Sequence, residues 1–333
     1  MMDATIRQPP RGVGIFYHEK WNLGAVPQSA ASIVADGLIA PVHWLPPPSS
    51  WAFLADPACR LRPDGGLEIL AERLDYWTGR GEIWHALVPA GAAPMTAQFA
   101  PLFQLPVHLS YPFPFIADDG GACLTAESWE AGGALLWREE GGGWSHAGRL
   151  FDGRPVVDPT LWRDADRWWL FCTFQDDGPN RKLFLFHASS PTGPWVPHRR
   201  NPVVDDPASA RPAGPLFRAD SVLVRPSQDC SQTYGGAVVL NAVTRLDPDE
   251  YREEPIRRLR PAPPYSSGLH TFCPAGDWTL VDGKFWRFHP LEAVRKMVVP
   301  LRRRLAERRK GRLEVNDPRT ATPCDRCGWG RRP

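Results

Sequence analysis

The sequence of 333 residues lacks the long apolar runs that mark a membrane-spanning or exported chain. No stretch reaches the roughly 18 consecutive apolar residues of a membrane span, and the N-terminal segment MMDATIRQPPRG is polar. A strong charge of either sign is also missing, because 39 Lys and Arg residues stand against 37 Asp and Glu residues. These features predict a cytoplasmic protein.

Cysteine is scarce, with seven residues, an odd number. Cys59, Cys123 and Cys172 fall in predicted strands, where a buried, reduced thiol is ordinary. The C-x-x-C pair of Cys324 and Cys327 lacks the second pair or the histidines that a zinc site needs. Gly235 is part of a Gly-Gly pair with no helix pattern after it, which argues against a phosphate-binding loop. We therefore expect no metal and no cofactor.

The sequence is rich in Trp, Pro and Gly, with 15, 37 and 29 residues, a balance typical of short strands and tight turns. The clearest stretch is VDPTLWRDADRWWLFCTF at residues 157–174. An Asp-Pro pair opens an apolar strand, a polar turn follows, and a second aromatic strand completes a predicted β-hairpin.

This hairpin recurs at intervals of about 45 to 60 residues, the period of a β-propeller made of small antiparallel blades. Copies open at ADP, SYP, VDP and ARP, and a degenerate fifth copy opens at HTFCP. The fold class predicted is all-β, a five-bladed β-propeller. If the residue before each proline begins the innermost strand, its side chain points into the central channel. The predicted ring is Asp56, Tyr111, Asp158, Arg211 and His270.

The second strand of each hairpin returns beside the first and adds residues to this ring. Glu72 follows Asp56 by 16 positions, and Glu127 follows Tyr111 by the same number. The equal spacing indicates one geometry used twice.

The ends of the chain have separate roles in this prediction. Strand-like residues 13–26 precede the first copy and are expected to close the ring by completing the last blade. The propeller is assigned to residues 1–289 and a basic, helical or flexible tail to residues 290–333. The tail has 13 Lys and Arg against 5 Asp and Glu, which leaves 26 against 32 for the body. A mildly acidic body argues against nucleic-acid binding.

The tail begins with an amphipathic pattern whose apolar positions are three and four residues apart. Pro300 is expected to kink or split this helix. One interpretation is a solvated helix packed on the propeller, and the other is peripheral contact with an anionic membrane. The apolar positions are Leu291, Val294, Val298, Leu301 and Leu305.

The motifs WNLGAV, ADP…AER, LSYPFPF…AES, VDPTLW…WWLFCT, SSPTGPW…NPVV and RPSQDCSQTYGGAVVLN occur in order. Together they resemble the five-bladed propeller domain at the N-terminus of plant glucosamine inositolphosphorylceramide transferases, over residues 16–286. In those proteins the resemblance assigns transferase chemistry to a separate C-terminal domain. It therefore implies a fold and a glycan-related setting more than a reaction.

A wider resemblance is to furanosidase-type glycoside hydrolases, also five-bladed propellers. There the first blade supplies a catalytic Asp, the second an orienting Asp and the third a Glu acid. Asp56 matches the first position, but Tyr111 and Asp158 depart from the other two. Glu127 could supply the acid from a neighbouring position.

Two functions remain open. One is a carbohydrate-active enzyme that hydrolyses or transfers a glycosidic bond with channel carboxylates, and the other is a non-catalytic sugar-binding module in glycan or glycolipid assembly. Each carboxylate could also be structural, since an Asp before Pro can cap a turn. The ligand expected is a carbohydrate or sugar-containing small molecule with an anionic group for the arginines. The predicted catalytic residues are Asp56, Glu127, Asp158 and Glu72; the predicted substrate-binding residues are Tyr111, Arg211, Arg225, Gln228, Asp229 and His270.

Overall fold

A computed structural model describes residues 14–164 and 166–309. Its strands form five antiparallel sheets arranged as the blades of a propeller, which confirms the predicted fold class. The Cys324 and Cys327 pair and most of the predicted tail lie outside the described residues.

The elements follow the chain in blade order. The first three are strand β1 (Tyr17–Val26), helix α1 (Ala30–Asp36) and strand β2 (His43–Trp44). Blade one contains β3 (Ala52–Leu61), β4 (Leu67–Asp75), β5 (Arg80–Val88) and β6 (Ala100–Phe103). Blade two contains β7 (Ser110–Ile116), β8 (Ala122–Ser128), β9 (Gly133–Glu140) and β10 (Gly143–Asp152).

The remaining blades continue this order. Blade three contains β11 (Val156–Arg163), β12 (Trp168–Phe174), β13 (Lys182–Ala188), β14 (Val196–Pro197) and β15 (Val204–Asp205). Blade four contains β16 (Phe217–Ala219), β17 (Val222–Asp229), β18 (Ala237–Leu246) and β19 (Tyr251–Leu259). The last elements are β20 (Phe272–Ala275), β21 (Trp278–Phe288) and helix α2 (Glu292–Arg309).

The fifth blade joins the two ends of the propeller. Its strand order is β2-β1-β21-β20, so two strands come from each end of the ring. β1 pairs antiparallel with β21 from Tyr17 opposite Phe288 to Val26 opposite Thr279. This pairing confirms that residues before the first repeat close the ring.

Strand β12 shows why the hairpin sequence is so apolar. All seven of its residues are buried, because the neighbouring blades cover both faces of its sheet. Leu170 packs with Leu136 of blade two, whereas Trp169 packs with Leu223 of blade four. Similar clusters fill the other blade junctions, and burying a large apolar side chain contributes about 1.5–3 kcal/mol. The core is therefore divided into layers between blades.

Two local predictions have clear outcomes. Helix α2 is continuous through Pro300 and is not split there. Gly235 and Gly236 precede strand β18, so they do not form a phosphate loop before a helix. Over residues 14–164 and 166–309, neither helix has the combination of length and apolar character needed to cross a membrane.

Candidate functional site

The same backbone irregularity occurs in blades one, two and three. Two residues of the first strand oppose one of the second, at Asp56-Pro57, Tyr111-Pro112 and Asp158-Pro159. Asp56, Tyr111 and Asp158 have φ angles of 52°, 46° and 49°. Such left-handed backbone costs about 1–3 kcal/mol at a residue other than Gly, and bulges of this type redirect side chains. The X-Pro repeat is thus a repeated, strained bulge.

Blade four departs from this geometry. Arg211 precedes strand β16 and is not among the positive-φ residues of the described chain. Its neighbour Pro212 forms only an isolated bridge with Ser227. Arg211 therefore reaches the centre by its long side chain instead of by a bulge.

The bulges surround a cavity of about 480 Å³. Its lining brings together five of the predicted site residues, Asp56, Glu72, Glu127, Asp158 and Arg211. Aromatic side chains supply much of the remaining lining, including Tyr17, Trp21, Phe53, Tyr76, Tyr234 and Trp286. The sequence prediction names none of these aromatic residues, because the X-Pro motif and the 16-residue spacing do not mark their positions.

Several carboxylates tie one blade to the next. The Asp282 carboxylate accepts the backbone N–H of Asp56 at 3.1 Å, and Asp56 accepts that of Tyr111 at 3.2 Å. Glu127 in turn accepts the N–H of Asp158 at 3.1 Å. In each case the accepting carboxylate belongs to the blade that precedes the donor's blade around the ring. These hydrogen bonds therefore hold the strained bulges in place.

Asp158 forms the strongest ion pair in the cavity. Arg211 donates to both of its carboxylate oxygens, at 2.6 and 3.2 Å, and Gln228 donates to it at 3.2 Å. A third donor of Arg211 reaches Asn180 at 3.0 Å. The donors of Arg211 are therefore largely occupied by Asp158 and Asn180, which leaves its side chain little capacity to bind an anionic ligand.

His270 and Asp282 form a second buried pair beside Asp56. The His270 Nδ1 and Asp282 Oδ2 atoms are 2.5 Å apart, and the His270 ring stacks on Trp21 at 3.8 Å. Burial alone would lower the pKa of His270, but Asp282 and Asp56 outweigh it and the pKa is raised. Burial likewise opposes ionisation of Asp282, but His270 holds its pKa below the ordinary value. Each partner therefore stabilises the charged form of the other.

Among the described residues, Asp56, His270 and Asp282 have the spacing of metal ligands. Their potential ligand atoms lie within 4.8 Å of one another. The hydrogen bond between His270 and Asp282 already joins two of these ligands. The ion pair between His270 and Asp282 therefore explains the close spacing of these side chains.

Some predicted binding residues are held away from the cavity. Arg225 is buried against Glu253 of β19, at 2.6 and 2.7 Å, which places its side chain within blade four. Asp229 accepts hydrogen bonds from Arg258 and Ser231.

Tyr111 is also predicted to bind substrate, but its hydroxyl group joins blades two, three and four. It lies 2.8 Å from Thr160 Oγ1 and accepts the Gly214 N–H. Gln228 and His270 also support neighbouring side chains and are not part of the described cavity lining.

Glu72 differs from the other cavity carboxylates. Its Oε1 atom is buried and has no hydrogen-bond partner. Burial, followed by the nearby carboxylates of Asp56 and Glu127, raises its pKa well above the ordinary value. The surroundings of Glu72 therefore favour the protonated form of its carboxyl group.

His108 is a neighbour of Glu72 that sequence reasoning missed. Its Nδ1 atom accepts the Gly81 N–H at 2.9 Å, so a neutral ring carries its proton on Nε2. That Nε2 atom lies 3.6 Å from Glu72 Oε1. Nothing in the repeat indicates this contact, because His108 stands ahead of the second X-Pro motif.

The other cavity carboxyl groups have different protonation. Burial raises the pKa of Asp56 to about 6, with His270 opposing the shift, so Asp56 is mostly ionised at pH 7. Burial and then Asp158 raise the pKa of Glu127 well above its ordinary range. The cavity thus combines carboxyl groups whose pKa values are raised to different extents.

Two further cavity residues carry unpartnered polar atoms. Trp286 Nε1 and His18 Nε2 are buried without hydrogen-bond partners. Burial lowers the pKa of His18 to about 4, so its ring is neutral at pH 7. With Glu72 Oε1, these atoms are available to the hydroxyl groups of a ligand.

Comparisons with solved structures find five-bladed hydrolases at low similarity. A thermostable family-43 glycoside hydrolase aligns with 14% identity and a TM-score of 0.47, over 64% of this chain and 77% of that one. The family-62 α-L-arabinofuranosidase domain of Coprinopsis cinerea aligns with 14% identity and a TM-score of 0.47, over 70% and 74%.

Sequence comparison finds nearer relatives in plants. Glucosamine inositolphosphorylceramide transferase 1 of Oryza sativa subsp. japonica is 35% identical over 162 residues, 45% of this chain and 21% of that protein. The protein of the same name from Arabidopsis thaliana is 32% identical over 152 residues, 44% and 20%. The match thus spans about a fifth of each relative's length.

The family profile described as "Glucosamine inositolphosphorylceramide transferase 1, N-terminal" matches residues 19–260, which include all of blades one to four. Because that match covers most of the chain, this propeller belongs to the family of the N-terminal domain of glucosamine inositolphosphorylceramide transferase 1.

Proposed function

We propose that the cavity binds a carbohydrate and that the protein hydrolyses or transfers a glycosidic bond there. The proposal rests on one observation: a single cavity is lined by Asp56, whose pKa is about 6, and by Glu72, whose pKa is raised well above its ordinary value and whose Oε1 atom has no hydrogen-bond partner. Two carboxyl groups whose environments separate their pKa values are the usual acid and base of glycosidic-bond chemistry.

The roles follow from the protonation states. Glu72 gives its proton to the departing glycosidic oxygen, while Asp56 takes a proton from the attacking hydroxyl group. Water as the attacking group gives hydrolysis, and a hydroxyl group of a second molecule gives transfer. Glu127 is a weaker candidate for the acid, because its Oε2 atom already accepts the Asp158 N–H.

Other features of the lining support a sugar as the ligand. Aromatic rings such as Tyr76, Tyr234 and Trp286 offer surfaces for the C–H faces of a sugar ring, and unpartnered polar atoms suit its hydroxyl groups. The name of the plant relatives denotes a transferase and contains a sugar, glucosamine, and a lipid, inositolphosphorylceramide. Family membership therefore favours a role in glycan or glycolipid metabolism.

A non-catalytic sugar-binding module is the second candidate. The observation that favours it is that Asp56, Glu127 and Asp158 already accept bonds that tie the blades together. Carboxylates with this structural task would shape a binding cavity without taking part in a reaction.

The test begins with a turnover screen against aryl glycosides, oligosaccharides and nucleotide sugars. For any substrate found, Glu72→Gln should lower kcat by about 10²–10⁴-fold while the dissociation constant changes little, because only the transferable proton is lost. Asp56→Asn should cause a loss of similar size, and Asp119→Asn at an exposed surface pair is the matched control. Measurable sugar binding without turnover across the screen would instead establish the binding module.

A further inference from the structure

Helix α2 is anchored to the cavity end of the propeller by one face. Glu292 is fully buried and its carboxylate contacts His18 Nδ1 at 3.1 Å and Arg295 Nε at 2.9 Å. Lys296 donates to the backbone oxygens of Gly14 and Tyr17, at 3.0 and 2.7 Å. These contacts fix how the helix is rotated about its axis.

The opposite face of α2 is apolar and exposed, although the sequence pattern suggested that it could pack on the propeller. Its residues recur at spacings of three and four, and the exposed Phe288 and Ile15 lie on the segments that meet at the start of the helix, where His289 N–H donates to Phe16 O. Together they are six of the 13 large apolar side chains that are exposed in the described chain. The group, which we call the α2 patch, is Ile15, Phe288, Leu291, Val294, Met297 and Leu301, each 45–65% exposed. A cluster of this size usually marks an interaction surface.

The charge next to the α2 patch indicates the chemistry of its partner. Residues 302–309, RRRLAERR, form the last part of α2 and contain five Arg and one Glu. A basic segment beside an apolar helix face is the combination that binds anionic lipid surfaces. Two copies of the chain would bring two such segments together and repel each other, which disfavours a homodimer here.

We infer that the α2 patch and the adjoining basic segment dock the propeller on an anionic lipid surface. The segments that form the patch also line the cavity, through Tyr17, Trp286, Arg295 and Lys296. Docking by this surface therefore brings the cavity close to the lipid headgroups. The inference goes beyond the proposed function, because it concerns where the protein sits and not what it does to a sugar.

Vesicle flotation of the full chain tests the inference. Phosphatidylcholine vesicles with and without phosphatidylglycerol serve as the two surfaces, at low and high salt. The protein should float with the anionic vesicles only, and less at high salt because screening weakens surface electrostatics. Removing three basic charges by Arg302→Gln, Arg303→Gln and Arg304→Gln should lower partitioning by about a hundredfold.

A matched pair of triple variants separates the α2 patch from general surface hydrophobicity. Leu291→Ser, Val294→Ser and Met297→Ser together should reduce partitioning at least about tenfold. Ile39→Ser, Leu61→Ser and Ile256→Ser remove three other exposed apolar side chains and should leave it unchanged. Thermal midpoints of both variants should match the parent protein, because all six side chains are exposed.

Three outcomes would overturn the inference. They are absence from anionic vesicles, equal partitioning to neutral vesicles, and a lipid-independent dimer that the patch variant dissociates. Flotation needs no sugar substrate, so its result does not depend on whether the cavity is catalytic.

Discussion

Two regions of the propeller bury charged side chains, and they do so differently. In blade four, Arg225 faces one carboxylate, that of Glu253, and also bonds the Ser209 oxygen. The central cavity is instead lined by five carboxyl groups, and one oxygen of Glu72 has no hydrogen-bond partner. The five are Glu19, Asp56, Glu72, Glu127 and Asp158, against three cationic side chains, Arg211, Arg295 and Lys296. The first region is balanced in charge, whereas the second has an excess of acid.

The difference separates structural charge from charge available for chemistry. A balanced pair keeps its ordinary protonation states and offers nothing to a ligand. An excess of buried acid shifts pKa values apart, as in Asp56 and Glu72, at a cost in stability that function commonly explains. Of the two regions, the cavity is therefore the better candidate for an active site.

Breaking the balanced pair should have the largest effect on stability. Arg225→Met leaves Glu253 without its cation in a mostly buried position, so the free energy of unfolding should fall by about 3–5 kcal/mol. Urea unfolding followed by circular dichroism measures this change.

The exposed pair of Arg199 and Asp249 supplies the control for that measurement. Arg199→Met should change the free energy of unfolding by less than about 1 kcal/mol, because exposed pairs contribute little. Adding Glu253→Gln to Arg225→Met should restore part of the loss. Equal effects of Arg225→Met and Arg199→Met would remove the distinction between the two regions.

Lowering the pH should have an intermediate effect, which is a loss of activity at the cavity. Asp56 acts as a base only when ionised, and its pKa is about 6. For any substrate found, kcat/KM should rise about tenfold per pH unit below pH 6 and level off above it. A pH–rate profile on the free enzyme measures this limb, and a profile that stays flat through pH 6 would assign the base to another group.

The smallest effect on stability is expected at Glu72. Its raised pKa favours the protonated form, whose shape and charge Glu72→Gln keeps, so the free energy of unfolding should change by less than about 1 kcal/mol. Asp158→Asn is the contrast, since it leaves the buried Arg211 without its anion and should destabilise far more. Similar losses for both variants would show that Glu72 is ionised in the folded protein.

The sequence predicts the blades and part of the site for identifiable reasons. The X-Pro motif marks a bulge whose backbone conformation is the same in three blades, so Asp56 and Asp158 could be found from it. The spacing of 16 residues located Glu72 and Glu127, because the hairpin turns in blades one and two are equally long. A backbone geometry that repeats along the chain can therefore be recognised from the sequence.

Residues outside that repetition could not be found in this way. Arg225 is predicted to bind ligand because its charge suits an anionic group, but its side chain is paired with Glu253 of the neighbouring strand β19. Asp282 and His108 act through contacts between blades, which no short spacing encodes. A carboxylate on the second strand of the degenerate fifth hairpin was the one available signal for Asp282.

Closure of the ring by both ends of the chain also sets when the site can form during synthesis. Blades one to four use consecutive strands and can pair as they leave the ribosome, but β1 stays without its partner until β21 emerges. Tyr17 and Trp286, both in the cavity lining, are 269 residues apart, and the Asp282 that holds Asp56 also lies on β21. A nascent chain that stops before β21 lacks Trp286 and Asp282, so the cavity is completed only when β21 has been synthesised.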